Sequence, residues 1–100
     1  MFYVYVLMSK DKDAKIYIGY TKDLKQRLRC HNSLGNQGWT RRRKWILVYY
    51  ESYLSDVDAR KRERQLKYDG RAKRWLLERT KESLEWAKIS AGQSSEPKPR

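Results

Sequence analysis

Apolar and aromatic residues fill two short runs near the start of the chain, Phe2-Tyr3-Val4-Tyr5-Val6-Leu7-Met8 and Ile16-Tyr17-Ile18-Gly19-Tyr20, separated by the polar stretch Ser9-Lys10-Asp11-Lys12-Asp13-Ala14. Two β-prone runs joined by a short polar turn predict an antiparallel hairpin. At a period of two, Phe2, Val4, Val6 and Met8 share one face of the first strand, and Ile16 and Ile18 share one face of the second. Those are the expected core faces. The opposite faces then gather Tyr3, Tyr5 and Tyr17 beside Gly19, where a side chain would crowd the phenols or an approaching backbone.

After the hairpin the period changes. Leu24, Arg27, Leu28 and His31 stand at i, i+3, i+4 and i+7, which predicts a helix capped by Thr21 and ending near Asn32-Ser33. Arg27 and His31 then lie one turn apart. Leu34-Gly35-Asn36-Gln37-Gly38 reads as a loop. Trp45-Ile46-Leu47-Val48-Tyr49-Tyr50 suits a third strand buried on both faces. Ser55-Asp56-Val57-Asp58 resembles a capping box, with Ser55 as the cap and Asp58 reaching back, and opens a helix over about residues 56 to 68 that Gly70 ends or hinges. Ala72, Trp75, Leu76 and Arg79 at helical spacing predict a last helix over 71 to 88, its first half packed on the sheet. From Ser90 onward neither periodicity nor bulk remains, so a disordered tail is expected. The expected fold is α/β of the α+β type, a small three-stranded antiparallel sheet flanked by three to four helices. Residues 1–78 would form the domain, 79–89 a helical extension and 90–100 the tail.

Charge narrows the partners. Among 100 residues, 24 Lys and Arg face 12 Asp and Glu, a formal net charge of +12. Such an excess repels itself unless an anionic partner offsets it, and nucleic acid is the expected partner. Arg41-Arg42-Arg43-Lys44, flanked by Trp39 and Trp45, is the expected tracking element, with cations for phosphates and an indole able to stack on a base. For Trp45, core packing competes with stacking. Lys67, Arg71, Lys73 and Arg74 extend the basic surface. The single cysteine, Cys30, can form no internal disulfide, and no apolar run approaches the roughly 20 residues a bilayer span needs. With no basic leader before the first strand, a cytoplasmic protein without a membrane partner is expected.

The tyrosine tripeptides carry a more specific signal. Tyr3-Val4-Tyr5 and Tyr17-Ile18-Gly19, followed by Thr21, Leu24, Arg27 and His31-Asn32, resemble the GIY-YIG nuclease superfamily, as does Glu63 within Arg60-Lys61-Arg62-Glu63-Arg64-Gln65-Leu66-Lys67. The likeness covers residues 1 to 78, and is greatest to small stand-alone bacterial members and to the N-terminal nuclease domain of the ABC excinuclease. It implies a Mg²⁺- or Mn²⁺-dependent endonuclease acting on DNA, structured or single-stranded rather than of fixed sequence, with a place in repair or recombination. It further implies that a motif tyrosine, Tyr5 or Tyr17, is the general base, that Arg27 clamps the scissile phosphate, that His31 assists, and that Glu63 holds the metal.

The residues themselves are compatible with those roles. A guanidinium donates two parallel bonds to a phosphate and keeps its charge at any working pH. A phenol, with an ordinary pKa of about 10, can act as a base near neutrality only beside positive charge. Glu63 stands between Ala59 and Leu66 on the inward face of its helix, an unusual place for a carboxylate unless it has a partner. Tyr5 is preferred as base, with Tyr17 orienting water or phosphate, although the sequence does not separate the two roles. Two departures stand out: Tyr3 replaces the first glycine of the motif, and Arg71-Ala72-Lys73-Arg74-Trp75 lacks the asparagine that many superfamily nucleases carry there. A basic binding module for DNA or RNA, keeping the fold without the chemistry, is the alternative. In the absence of a targeting module, a protein partner could supply targeting.

Overall fold

The structure, a computed structural model, describes residues 1–32 and 44–91. The expectations for residues 34–38, Trp39, Arg41, Arg42 and Arg43, and for the tail beyond Ala91, lie outside the described residues. Three strands, β1 (Phe2–Ser9), β2 (Ile16–Thr21) and β3 (Trp45–Tyr53), form an antiparallel sheet in the order β2-β1-β3. Four helices accompany it: α1 (Leu24–Asn32) between β2 and β3, then α2 (Asp56–Tyr68), α3 (Gly70–Arg79) and α4 (Lys81–Ser90). None of the helices among the described residues is long and apolar enough to cross a membrane.

The strand buried on both faces is β1. The expectation for β3 is overturned: it is an edge strand whose residues after Trp45 are half-buried or exposed, whereas Val4 through Ser9 of the central strand are all buried. Paired on both sides, β1 presents Val4 and Val6 to a core completed by Ile18, Ala59, Leu66, Ala72 and Leu76. Its other face is also covered. Tyr5 and Leu7 pack with Trp45, Tyr17, Leu24, Leu28 and Leu47 into a second, smaller core under α1. The tyrosine face is thus largely interior, and Trp45, 2 % exposed, is a core residue with no face open to a base. A bulge between Val6 and Leu7 in the pairing with β3 leaves Val48 as an extra residue. It turns both Val48 and Tyr49 toward the first core while Leu47 stays with the second.

Local side chains set most boundaries. The hairpin turn is tied by Ser9, whose hydroxyl accepts from Lys15 N at 2.8 Å and donates to Asp11 Oδ1 at 2.8 Å. Asp23, rather than Thr21, caps α1: its carboxylate accepts from Gln26 N at 3.1 Å, while the Thr21 hydroxyl receives Asp23 N in a turn just before it. Ser55 caps α2 by accepting from Asp58 N at 3.3 Å. Asp69 closes α2 and caps α3, accepting from Arg71 N and Ala72 N. The single helix expected over 71–88 is two, because at Thr80 the backbone leaves helical geometry (φ −102°, ψ 18°) and its hydroxyl donates back to Leu76 O at 2.9 Å. Ser90, expected in the tail, ends α4.

Gly70 opens α3 with no left-handed φ, and a Cβ there meets nothing within 4 Å. Gly70→Ala is therefore expected to raise stability by about 0.5–1 kcal/mol, by removing backbone freedom from the unfolded chain. Urea denaturation measures it, and an unchanged or lowered midpoint would count against this reading.

Candidate active site

Tyr5 stands at the centre of the sheet, and everything near it is placed by an adjacent element. Its cross-strand partner on β2 is Gly19, and a Cβ at that position would sit 2.4 Å from the phenol oxygen and 2.5 Å from Cζ. The ring therefore lies across the space that a side chain on β2 would fill. From the other side α1 supplies two polar groups one turn apart. His31 Nε2 lies 2.8 Å from the Tyr5 hydroxyl, and Arg27 Nε donates to the same oxygen at 3.4 Å. Tyr17, on β2, completes the cluster, its ring centroid 4.9 Å from that of His31 and 6.3 Å from that of Tyr5. Four residues separated in sequence by up to 26 positions thus converge on one hydroxyl.

Burial decides their protonation. Tyr5 is 1 % exposed, and loss of solvent pushes its phenol up to about 12; the Arg27 hydrogen bond opposes this, while the nearby Tyr17 and the charge of Glu63 add to it. His31 is pushed down to about 4, by burial first and by the Arg27 cation second. At neutral pH the phenol is therefore protonated and the imidazole neutral. The consistent arrangement has the hydroxyl donating to Nε2 and accepting from Arg27.

Glu63 reaches the cluster from the opposite layer. On α2 it lies on the same stripe as the buried Ala59 and Leu66, and its Oε2 is 3.2 Å from Lys67 Nζ. Lys67 in turn lies 5.8 Å from the Tyr17 ring centroid. The carboxylate is thus held between the α2 core face and the phenols, paired with a cation. Lys67, expected on the nucleic-acid surface, makes this ion pair instead in the present state.

Two anchoring sets escaped the sequence reading. Asn32, at the end of α1, uses its side-chain amide as a strand would: Oδ1 accepts from Trp45 N at 2.7 Å and Nδ2 donates to Trp45 O at 3.2 Å. Lys44 donates to Asn32 O at 2.7 Å. Together these clamp the His31 end of α1 onto the start of β3. On the other face Glu51 of β3 receives Arg62 through Nε at 3.0 Å and Nη2 at 3.0 Å, along with the hydroxyls of Tyr49 and Tyr53. Burial opposes its charge, but these donors hold its carboxyl below the usual range. Because successive helical residues turn by about 100°, fixing Arg62 on β3 also fixes the direction of Glu63. An Asn or a Glu with no local spacing pattern carries no signal of such long-range contacts.

Of the expected basic residues, Lys73 joins Lys67 beside Ile16, Tyr17 and Ile18 in a cleft of about 240 Å³ along the β2 edge. Arg74 lies away from it, in a groove of α3 with Gly70, Leu77 and Lys81. The position where many superfamily nucleases carry asparagine is thus occupied by a basic segment close to Tyr17.

The donor set bears on the metal. Among the described residues no three His, Cys, Asp or Glu side chains cluster. Glu63 offers one hard oxygen ligand already facing a positive charge, the ammonium of Lys67. That fits Mg²⁺ or Mn²⁺, which needs only one or two carboxylates when water and substrate phosphate complete its shell.

Comparison with known proteins follows the same lines. The family model described as the GIY-YIG catalytic domain matches residues 1–75. The UPF0213 protein of Staphylococcus saprophyticus is 36 % identical over 74 residues, covering 73 % of this chain and 90 % of the relative. That of Bacillus pumilus is 39 % identical over 75 residues, 74 % of each chain. A UPF0213 protein of Pediococcus acidilactici reaches 46 % identity over 61 residues, 58 % of this chain and 60 % of its own. No solved structure matches. With the tyrosine pair on adjacent strands, the arginine and histidine on the following helix and the match across three quarters of its length, the chain belongs to the GIY-YIG family, whose activity is of the nuclease type.

Proposed function

We propose that this protein is a divalent-metal-dependent endonuclease that hydrolyses phosphodiester bonds in DNA, working in repair or recombination in a reducing cytoplasm with targeting supplied by a protein partner. The observation that carries the reading is the Tyr5 hydroxyl held between His31 Nε2 at 2.8 Å and Arg27 Nε at 3.4 Å. Arg27 binds a non-bridging oxygen of the scissile phosphate and draws negative charge toward itself as the reaction proceeds. Tyr5 takes a proton from the attacking water as the phenol proton moves to Nε2 of the neutral His31. The new P–O bond forms in line as the bond to the 3′ oxygen breaks, and solvent protonates the leaving oxygen. Tyr17, packed against His31, orients the water. Glu63 would hold the ion, which when bound supplies charge relief at the phosphate and the leaving oxygen.

A second reading is favoured by one feature: in the present state Lys67 occupies Glu63, and the Tyr5 phenol is harder, not easier, to ionise than a free one. A binding module that keeps the fold and lacks the chemistry accounts for both. Cleavage decides between them. Wild type is expected to nick branched, nicked or single-stranded DNA with Mg²⁺ and not with EDTA, and Arg27→Ala and Glu63→Gln are each expected to lower the rate by about 10²–10³-fold. Wild type that binds without cutting, with Mg²⁺ or Mn²⁺, would establish the second reading. Unchanged cleavage by both variants would place the site elsewhere.

A further inference from the structure

Beside the catalytic cluster, on the same face of the sheet, lies a cleft of about 400 Å³ lined by Tyr3, Lys22, Asp23, Leu24, Lys25 and Tyr50. No role in the proposed reaction involves it. Tyr50 is the cross-strand partner of Tyr5 and so projects from the same face, yet it is 51 % exposed where Tyr5 is buried. Tyr3 meets it edge-on, centroids 5.8 Å apart at 64°, and so supports the ring from one side. Leu24 ties the cleft to the catalytic cluster, packing against the core that contains Tyr5. It stands one helical turn before Arg27, about 5 Å along the helix. The charged rim has two ammonium groups and one carboxylate, and that carboxylate, Asp23, is turned to the amide of Gln26.

We infer that this cleft binds one unpaired nucleotide of the DNA strand next to the scissile phosphate, its base stacked on Tyr50 and its phosphate on Lys22 and Lys25. The inference rests on the nuclease reading and specifies its substrate. A rigid, half-exposed aromatic ring offers a stacking platform to any base. Inside a duplex both faces of a base are already covered by neighbours, so only an unpaired or displaced nucleotide can use that platform. A gap, flap or frayed end would thus be bound in preference to continuous duplex.

The test uses the full chain in EDTA, with a duplex carrying a one-nucleotide unpaired 2-aminopurine and with the same duplex fully paired. Wild type is expected to quench the 2-aminopurine emission and to bind the unpaired probe more tightly. Tyr50→Ala is expected to weaken that binding about fivefold or more and to abolish the quenching, while changing duplex affinity by less than about twofold. Tyr50→Leu, which retains strand-filling bulk, should behave as Tyr50→Ala does, and Tyr50→Phe as wild type. Lys22→Gln and Lys25→Gln should weaken both probes and flatten the salt dependence. Wild type that binds both probes equally, Tyr50→Leu with unaltered quenching, or tighter binding of a ribonucleotide at the unpaired position would each overturn the assignment. Cleavage is scored separately with Mg²⁺. Selective stacking without cleavage would sink only the nuclease reading, and cleavage unaffected by Tyr50→Leu on the unpaired substrate would sink only this one.

Discussion

Replacing Tyr5 with phenylalanine is expected to lower DNA cleavage by about 10³-fold while leaving DNA affinity within about twofold. The hydroxyl lies within hydrogen-bonding reach of both His31 and Arg27, and the substitution removes it alone. The ring would remain, because its packing against Leu7 and Trp45 does not depend on oxygen. The same substitution should alter the pH profile. A phenol near 12 is mostly protonated at neutrality, so the wild-type rate should climb with pH through the neutral and alkaline range. His31, at about 4, is already neutral there, so no inflection belongs near the ordinary imidazole value of about 6.5. In Tyr5→Phe the climbing arm should vanish. Single-turnover cleavage across the neutral and mildly alkaline range reads both effects. Retained activity in Tyr5→Phe, paired with its loss in Tyr17→Phe, would exchange the roles of the two phenols.

Gly19→Ala is expected to destabilise the fold by about 3 kcal/mol and to bring cleavage down with it. The new methyl would lie 2.4 Å from the Tyr5 oxygen, 2.5 Å from Cζ and 3.0 Å from Tyr17 Cε2. A flexible side chain could swing aside, but Tyr5 is enclosed by Leu7 and Trp45 and tied to His31. Relief therefore requires either a displaced strand or a displaced phenol, and either one dismantles the hydrogen bonds at the site. The cause can be isolated with a double mutant: in a Tyr5→Val background, where the clashing atoms are gone, Gly19→Ala should cost under about 1 kcal/mol. Equal costs in both backgrounds, measured by urea denaturation, would mean that Gly19 is needed for something other than room for Tyr5.

Several parts of this molecule were legible before any coordinates. The hairpin, the run from Asp56 to Tyr68 with its Ser55 cap, and the one-turn spacing of Arg27 and His31 depend on neighbours within a few positions, and there residue type and period carry the signal. Errors arose where local rules were ambiguous. A run such as Trp45 to Tyr50 fits a doubly buried strand as well as an edge strand, and only the pairing order decides between them. Apolar spacing continues through Thr80, so the break between α3 and α4 shows in the backbone and not in the periodicity. Thr21 and Asp23 are both competent caps two residues apart, and the turn geometry selected Asp23.

The chain alone determined which chemical groups were present and their order: two phenols on paired strands, a guanidinium and an imidazole on one helical face, a carboxylate on an inward stripe, and a strong positive charge. It could not determine their ionisation or their mutual aim. Those depend on desolvation and on contacts between residues far apart in sequence, which no local pattern encodes. Only the packed structure made Tyr5 a buried, protonated donor to a neutral His31, set Lys67 on Glu63, and left Tyr50 open beside them.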